Sequence, residues 1–167
     1  MSDITLEVGG GYFIYKVGAI IIHENKVLMV KNENHAYYYT VGGRANFGET
    51  SEDAVLREVY EETGIELEVD RLAYIHENYF TADFLEINNA PCHEIAFYYL
   101  MKHCDEVENI KCSSVGADGG TESLHWLPIA DLAGYELFPE FYKTELHNIR
   151  NEVGHFITKD GHTLRKN

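Results

Sequence analysis

Across residues 37–64 the side-chain pattern changes period, and that change limits the folds open to the chain. Residues 37–41 are aromatic and β-branched, as a strand prefers, and run directly into Gly42-Gly43. Beyond the glycines the period becomes helical. Val55, Leu56, Val59, Tyr60 and Thr63 recur on one side, with Arg57, Glu58, Glu61 and Glu62 on the other. Thr50 can cap this helix, Asp53 follows three positions later as a weak capping-box partner, and Gly64 supplies the stop.

The flanking sequence is mostly strand-like. Gly9-Gly10-Gly11 separates extended stretches at 4–8 and 12–22, and the alternation of Val17, Ala19 and Ile21 with Gly18, Ile20 and Ile22 predicts a strand buried on both faces. His23-Glu24-Asn25 reads as a turn leading into a strand at 26–31. After the helix, 65–79 is extended with an interruption at Asp70-Arg71. Turn signals follow over 83–92, then an apolar strand at 95–101, a polar loop at 111–121 and a shorter strand at 122–127. Residues 128–132 suit a short helix start. Leu137, Phe138, Phe141, Leu146 and Ile149 predict a second helix over 137–149, and 156–164 reads as a small terminal hairpin or a frayed end. With no repeat or linker, residues 1–167 are expected to form one domain, with an extended N-terminal segment and a short C-terminal tail. Strands flanking two helices argue for a mixed α/β sandwich rather than a repeated βαβ sheet.

Composition narrows the function. The 167 residues are 45% hydrophobic, enough for a core without disulfides. Thirteen Lys and Arg stand against 28 Asp and Glu, a formal net charge of −15. Such a surface repels nucleic-acid backbones and anionic lipid, so general nucleic-acid or membrane binding is not expected. Cys92, Cys104 and Cys112 are odd in number and lack a close CxxC pair, so buried thiols are expected rather than a zinc knuckle. No basic stretch precedes an apolar signal core, and the longest apolar runs are too short to cross a bilayer; a cytoplasmic location is expected.

Glu58, Glu61 and Glu62 stand at i, i+3 and i+4, so their carboxylates emerge from one helical face. Like charges there repel. Either water screens them on a solvated face, or a hard divalent cation groups them; magnesium prefers oxygen ligands and arrives with substrate phosphates.

The surrounding letters bear on this choice. Gly43-Arg44-Ala45-Asn46-Phe47-Gly48-Glu49 is followed, seven residues later, by Arg57-Glu58-Val59-Tyr60-Glu61-Glu62-Thr63-Gly64-Ile65. Across 43–65 this resembles the Nudix box, the signature of the Nudix hydrolase family, at every specified position. The resemblance implies a Nudix-like α/β/α sandwich with a mixed β-sheet, the box helix and a C-terminal helix. It implies a pyrophosphohydrolase that cleaves a phosphoric anhydride bond in a nucleoside diphosphate linked to another group. By similarity Glu58, Glu61 and Glu62 would hold Mg2+, or alternatively Mn2+, with the Gly42 carbonyl as a further ligand. Arg57 would be an orienting arginine paired with Glu49, its planar donor fork suiting that role, and Gly43 and Gly48 would shape the loop before the helix. One of the carboxylates would receive the proton of the attacking water.

The family often adds a glutamate from beyond the box helix. Glu122, before the strand at 124–127, and Glu94, beside His93 at a strand end, are both candidates. Arg44, Tyr39, Phe47, Tyr79 and His93 are candidates for substrate binding. Tyr37, Tyr38 and Phe80 also border the expected pocket, where one or two rings could stack a base while others pack the core. Subfamily marks are mixed. There is no proline where ADP-ribose hydrolysis is often marked and no upstream signature resembling coenzyme A hydrolases. Tyr79 lies closer to the box than the tyrosine expected of diadenosine polyphosphate hydrolases. The partner expected is a small phosphorylated nucleotide, with a nucleoside triphosphate or a non-catalytic nucleotide-binding role as alternatives. The segment at 4–16 could pair with a second copy as an edge strand.

Overall fold

The structure is a computed structural model that describes residues 2–82, 89–110, 113–115 and 119–167, with the side chains of 82 and 113–115 left aside. In chain order it contains β1 (Thr5–Val8), β2 (Gly11–Ile20), β3 (Ile22–His23), β4 (Lys26–Asn32), β5 (Tyr38–Arg44), α1 (Ser51–Thr63), β6 (Val69–Ala82) and β7 (Ala90–Met101). There follow β8 (Ser113–Val115), β9 (Thr121–Pro128), β10 (Leu137–Phe138), α2 (Tyr142–Glu145), β11 (Gly154–Lys159) and β12 (His162–Arg165). The strands join in the order β12-β11-β6-β7-β2-β5-β4-β9-β8, with β1 on β2, β3 on β4 and β10 on β5. β2 runs parallel to β7 and β11 parallel to β6, so the sheet is mixed.

β5 joins the two halves by changing partner along its length. Tyr38–Thr40 pairs with β4, and Val41–Arg44 pairs with β2. The strand therefore runs through Gly42-Gly43 instead of stopping there. At Gly42 φ is +140°, and a Cβ would stand 2.3 Å from the Val17 carbonyl oxygen, so only glycine fits this crossing.

α1 begins and ends where its sequence signals stand. The Asp53 N–H donates to the Thr50 side chain at 3.1 Å, and Gly64 closes the helix in the left-handed conformation, its N–H donating to the Tyr60 carbonyl. Ala54, Val55, Val59 and Thr63 are buried against the sheet with Val17, Val41 and Tyr99. Burying each valine stabilises by about 2 kcal/mol. Tyr60, expected on this face, is instead 55% exposed. At about 100° per residue it lies outside the arc from Ala54 round to Thr63, whereas Glu58 and Glu62 fall inside that arc. These two carboxylates thus belong to the sheet-facing side and not to the far face.

The opposite face of the sheet carries a second core built on Tyr74, Tyr98, Phe141, Tyr142 and Phe156. The helix expected over 137–149 is replaced here by three pieces. Leu137–Phe138 pairs with β5, Pro139 follows, and only Tyr142–Glu145 is helical. Proline lacks the N–H a helix needs and biases the residue before it toward extended backbone, so the apolar spacing was not sufficient.

Other expectations are refined. Asp70-Arg71 is a register shift inside β6 rather than a break. Ser113–Val115, expected as loop, pairs with β9, and Glu122 lies within β9 opposite Asn32. His93 and Glu94 sit inside β7, not at its end. The tail is a hairpin turning at Asp160-Gly161, both at positive φ, and it extends the sheet beside β6. Cys92 is buried and Cys104 half-buried, while Cys112 and most of the turn expected over 83–92 lie outside the described residues. No helix among the described residues is long and apolar enough to cross a membrane.

Candidate active site

The site is assembled where α1 lies over the glycine crossing of β5. Arg57 organises one side. Its Nε and Nη2 donate to the two oxygens of Glu49 at 2.9 and 3.1 Å, a two-pronged pair, and Nη2 also donates to the Arg44 carbonyl at 3.1 Å. Nη1 donates to Glu58 at 2.6 Å and to Glu61 at 3.2 Å. The guanidinium holds the Glu49 carboxyl below its usual range. The carboxylates in turn, Glu49 foremost, raise Arg57 above an already basic value, so it stays charged.

Glu58 and Glu62 occupy the more enclosed positions. A Cβ at Gly43 would meet the Glu58 carboxylate at 2.5 Å, so the absence of a side chain there makes the space this group fills. Burial raises the Glu58 carboxyl, partly offset by Arg57. Glu62 accepts from the Gly42 N–H at 3.3 Å. Burial, then the charge of Glu58, push its carboxyl up to about 8; Glu122 adds to this, while the Gly42 N–H and Lys16 oppose it. Gly42 thus meets the cluster through its N–H, where its carbonyl was the group expected to matter.

A cleft of about 990 Å³ is lined from both faces of the sheet, by Glu122 and Tyr39 on the side of α1 and by Lys16 on the other. The charges of Glu122 and Lys16 act on Glu62, so they mark where the cleft and the carboxylate cluster adjoin. Tyr39 donates its hydroxyl to Glu122 at 2.6 Å. At this end Tyr37 is stacked with His35, with centroids 5.0 Å apart, and meets the edge of Phe138 at 5.2 Å. The cleft then crosses β7 and β6, past Glu94, Tyr98, His76 and Asn78, to Thr158 and Thr163 of the terminal hairpin.

Of the residues expected from sequence, Glu58, Glu61, Glu62, Arg57, Glu49, Gly42 and Gly43 are brought together, and Tyr39, Tyr79, Glu94 and Glu122 line the cleft. Four others stand outside it, one of them Tyr38, which packs against the second core. Arg44 pairs with Asp3 at 2.9 Å, Phe47 is 82% exposed, and His93 is sandwiched between Tyr79 and Phe13. Lys16, His76, Asn78 and the hairpin residues Thr158 and Thr163 line the cleft without being expected from sequence. No local signal marks them: in β6 the polar residues His76, Glu77 and Asn78 fall on both faces, and which face bounds a cavity depends on nonlocal pairing.

As a place for a hard cation, the donor chemistry fits: the cluster offers carboxylate oxygens over a glycine cradle. Among the described residues, however, no three His, Cys, Asp or Glu side chains converge closely enough to hold one ion. Arg57 takes up Glu58 and Glu61 instead.

The chain resembles known proteins. It is 34% identical over 61 residues to a MutT-like protein of Streptomyces ambofaciens, covering 36% of this chain and 40% of that one. It is 37% identical over 65 residues to an ADP-ribose pyrophosphatase of Methanocaldococcus jannaschii, covering 37% of this chain and 38% of that one. The matches therefore span about two fifths of each relative's length. The crystal structure of a MutT protein from Bacillus halodurans superposes with a TM-score of 0.62 at 18% identity, over 92% of this chain and 97% of that one, which shows the shared fold. The NUDIX domain matches residues 13–148, most of the chain. The chain belongs to the NUDIX family.

Proposed function

We propose that the chain is a divalent-metal-dependent pyrophosphohydrolase acting on a nucleoside diphosphate linked to another group. The observation that carries this reading is the enclosed pair Glu58 and Glu62, seated over Gly42-Gly43 and adjoining a cleft through Glu122 and Lys16. Glu58, Glu61 and Glu62 would hold the cation, with Mg2+ the natural occupant and Mn2+ a substitute. When bound there, such an ion supplies charge neutralisation for diphosphate oxygens and polarises water.

The chain's own groups do the rest. Arg57, fixed by Glu49, orients Glu58 and Glu61. Glu122, its carboxylate positioned by the Tyr39 hydroxyl, receives the proton of the attacking water. Lys16 places a positive charge on the cleft floor beside the diphosphate. Tyr37, His35 and Phe138 supply ring faces and edges against which a base can pack.

The test is hydrolysis of a nucleotide library in Mg2+, read by phosphate release after phosphatase coupling. The parent is expected to turn over a nucleoside diphosphate linked to a sugar or a nucleoside triphosphate. Glu61→Gln and Glu62→Gln are expected to lower kcat by about a hundredfold or more, and Glu122→Gln to lower kcat with little change in KM. A folded parent that turns over nothing, or variants matching the parent, overturns the assignment. A second reading, a nucleotide-binding module without turnover, draws on the hold of Arg57 over two carboxylates. Tight nucleotide binding by the parent without hydrolysis would favour it. Self-association through the outer edge of β1, where Leu6 and Val8 are exposed, is a further part of this reading. A monomer in sedimentation at micromolar concentration sinks it.

A further inference from the structure

Four polar residues form one row across the cleft floor. Glu94 of β7 is the register partner of Asn78 of β6, Asn78 of Thr158 of β11, and Thr158 of Thr163 of β12. Register partners on neighbouring strands project to the same face, so the four side chains stand side by side, and all four line the cavity. At ordinary strand spacing the row is about 14 Å long.

Packing does not account for it. The row beside it on the same face, Ala96, His76 and Phe156, feeds the aromatic core, as floor positions of a sheet normally do. The row itself contains no apolar residue. Glu94 is only 7% exposed, and among the described residues no donor is placed on its carboxylate. Its oxygens are not among the fully enclosed polar atoms of the described residues, so they are reached from the cavity. Further out, Thr158 Oγ shares hydrogen bonds with His76 Nε2 at 2.7 Å and Thr163 Oγ at 2.8 Å, which leaves hydroxyls facing the cavity at fixed positions.

We infer that this row is the binding floor for a hydroxyl-bearing group attached beyond the diphosphate, and that the terminal hairpin decides whether such a group is accepted. The inference rests on the hydrolase reading for the direction in which the substrate lies. Lys16, beside the carboxylates that would hold the cation, places the diphosphate at one end of the cleft, and the row leads away from it toward β12. A sugar presents hydroxyls that both donate and accept. Carboxylate, amide and two hydroxyls along one line answer that mixture, whereas a terminal phosphate, acceptor only, would leave Glu94 opposed by like charge. Two of the four rungs, Thr158 and Thr163, lie beyond residues 13–148, the stretch that matches the family, so this wall is a property of this chain's tail. Glu94 becomes a substrate acceptor and leaves the part of fourth carboxylate to Glu122.

The experiment is calorimetry with two ligand pairs that differ only by the sugar, ADP-ribose against ADP and UDP-glucose against UDP. It is run on the full chain and on Thr163→Val and Glu94→Gln. Thr163→Val keeps shape and suits a strand, and thermal melting checks that each variant folds. For at least one pair the parent is expected to prefer the sugar-bearing member by tenfold or more, and each variant to lower that ratio at least fivefold. A parent without preference in either pair overturns the inference, as do folded variants whose ratio stays within twofold of the parent. Binding is read apart from turnover. A shifted ratio in a protein that hydrolyses nothing keeps the row and removes the hydrolase; hydrolysis with an unshifted ratio does the reverse.

Discussion

At the scale of single residues, the site depends on what is missing as much as on what is present. Gly43 leaves the space that the Glu58 carboxylate fills, and an added methyl would lie 2.5 Å from it. Gly43→Ala is therefore expected to displace Glu58 from Arg57 and cut kcat at least tenfold, about 1.4 kcal/mol of barrier, while the melting temperature moves only a few degrees. Because the collision is with the end of a flexible side chain, a large loss of stability would contradict this account. His76 offers a test of a different kind. Burial, helped by the charge of Lys16, pushes its imidazole down to about 4 from an ordinary 6.5. The folded pKa lies below the unfolded one, so as pH falls the unfolded chain takes up the proton first. The stability from a neutral His76 is complete above pH 6.5 and drains away between 6.5 and 4, up to about 3 kcal/mol. Urea unfolding at pH 7 and pH 4.5 should show a smaller drop for His76→Gln than for the parent; equal drops would mean that His76 titrates normally.

At the scale of elements, the sequence was most informative where structure is local. The span of α1 was readable because Thr50, the apolar spacing and Gly64 act within a few residues of one another. The cap also has a predictable worth. Thr50→Ala removes the bond to the Asp53 N–H at an exposed helix start, and should cost about 1 kcal/mol in denaturant unfolding with hydrolysis near the parent's, since Val55 and Val59 still hold the helix. A loss of several kcal/mol would place the cap in a wider network. The same local reasoning failed over 137–149, where apolar spacing suggested a helix but Pro139 and pairing with β5 prevailed. Glu94 was visible as a strand residue beside a candidate site. Its alignment with Asn78, Thr158 and Thr163 was not, because it arises from three pairings, one of them to a tail separated from β6 by more than seventy residues. The carboxylate cluster was legible as a motif, yet its inward position on α1 required knowing where the buried arc lies.

At the scale of the whole molecule, the mixed sheet separates two tasks. One face carries α1 and its carboxylates, the other carries the cleft floor at Lys16, Glu94 and Asn78, and the cleft reaches the α1 side at Tyr39 and Glu122. The substrate proposed for it is anionic, while the molecule has a formal charge of −15. Long-range approach of such a substrate is repulsive, and among the described residues lining the cleft Lys16 and Lys159 carry positive charge. Added salt screens charges beyond about a Debye length, near 10 Å at 0.1 M, while leaving contacts within the cleft less affected. At constant free Mg2+, kcat/KM for a nucleotide substrate is expected to rise about twofold between 20 and 200 mM NaCl. A basic nucleotide-binding protein would show the opposite sign. A fall here would mean that the local lysines steer the substrate in spite of the net charge, and Lys16→Met should then abolish the salt dependence.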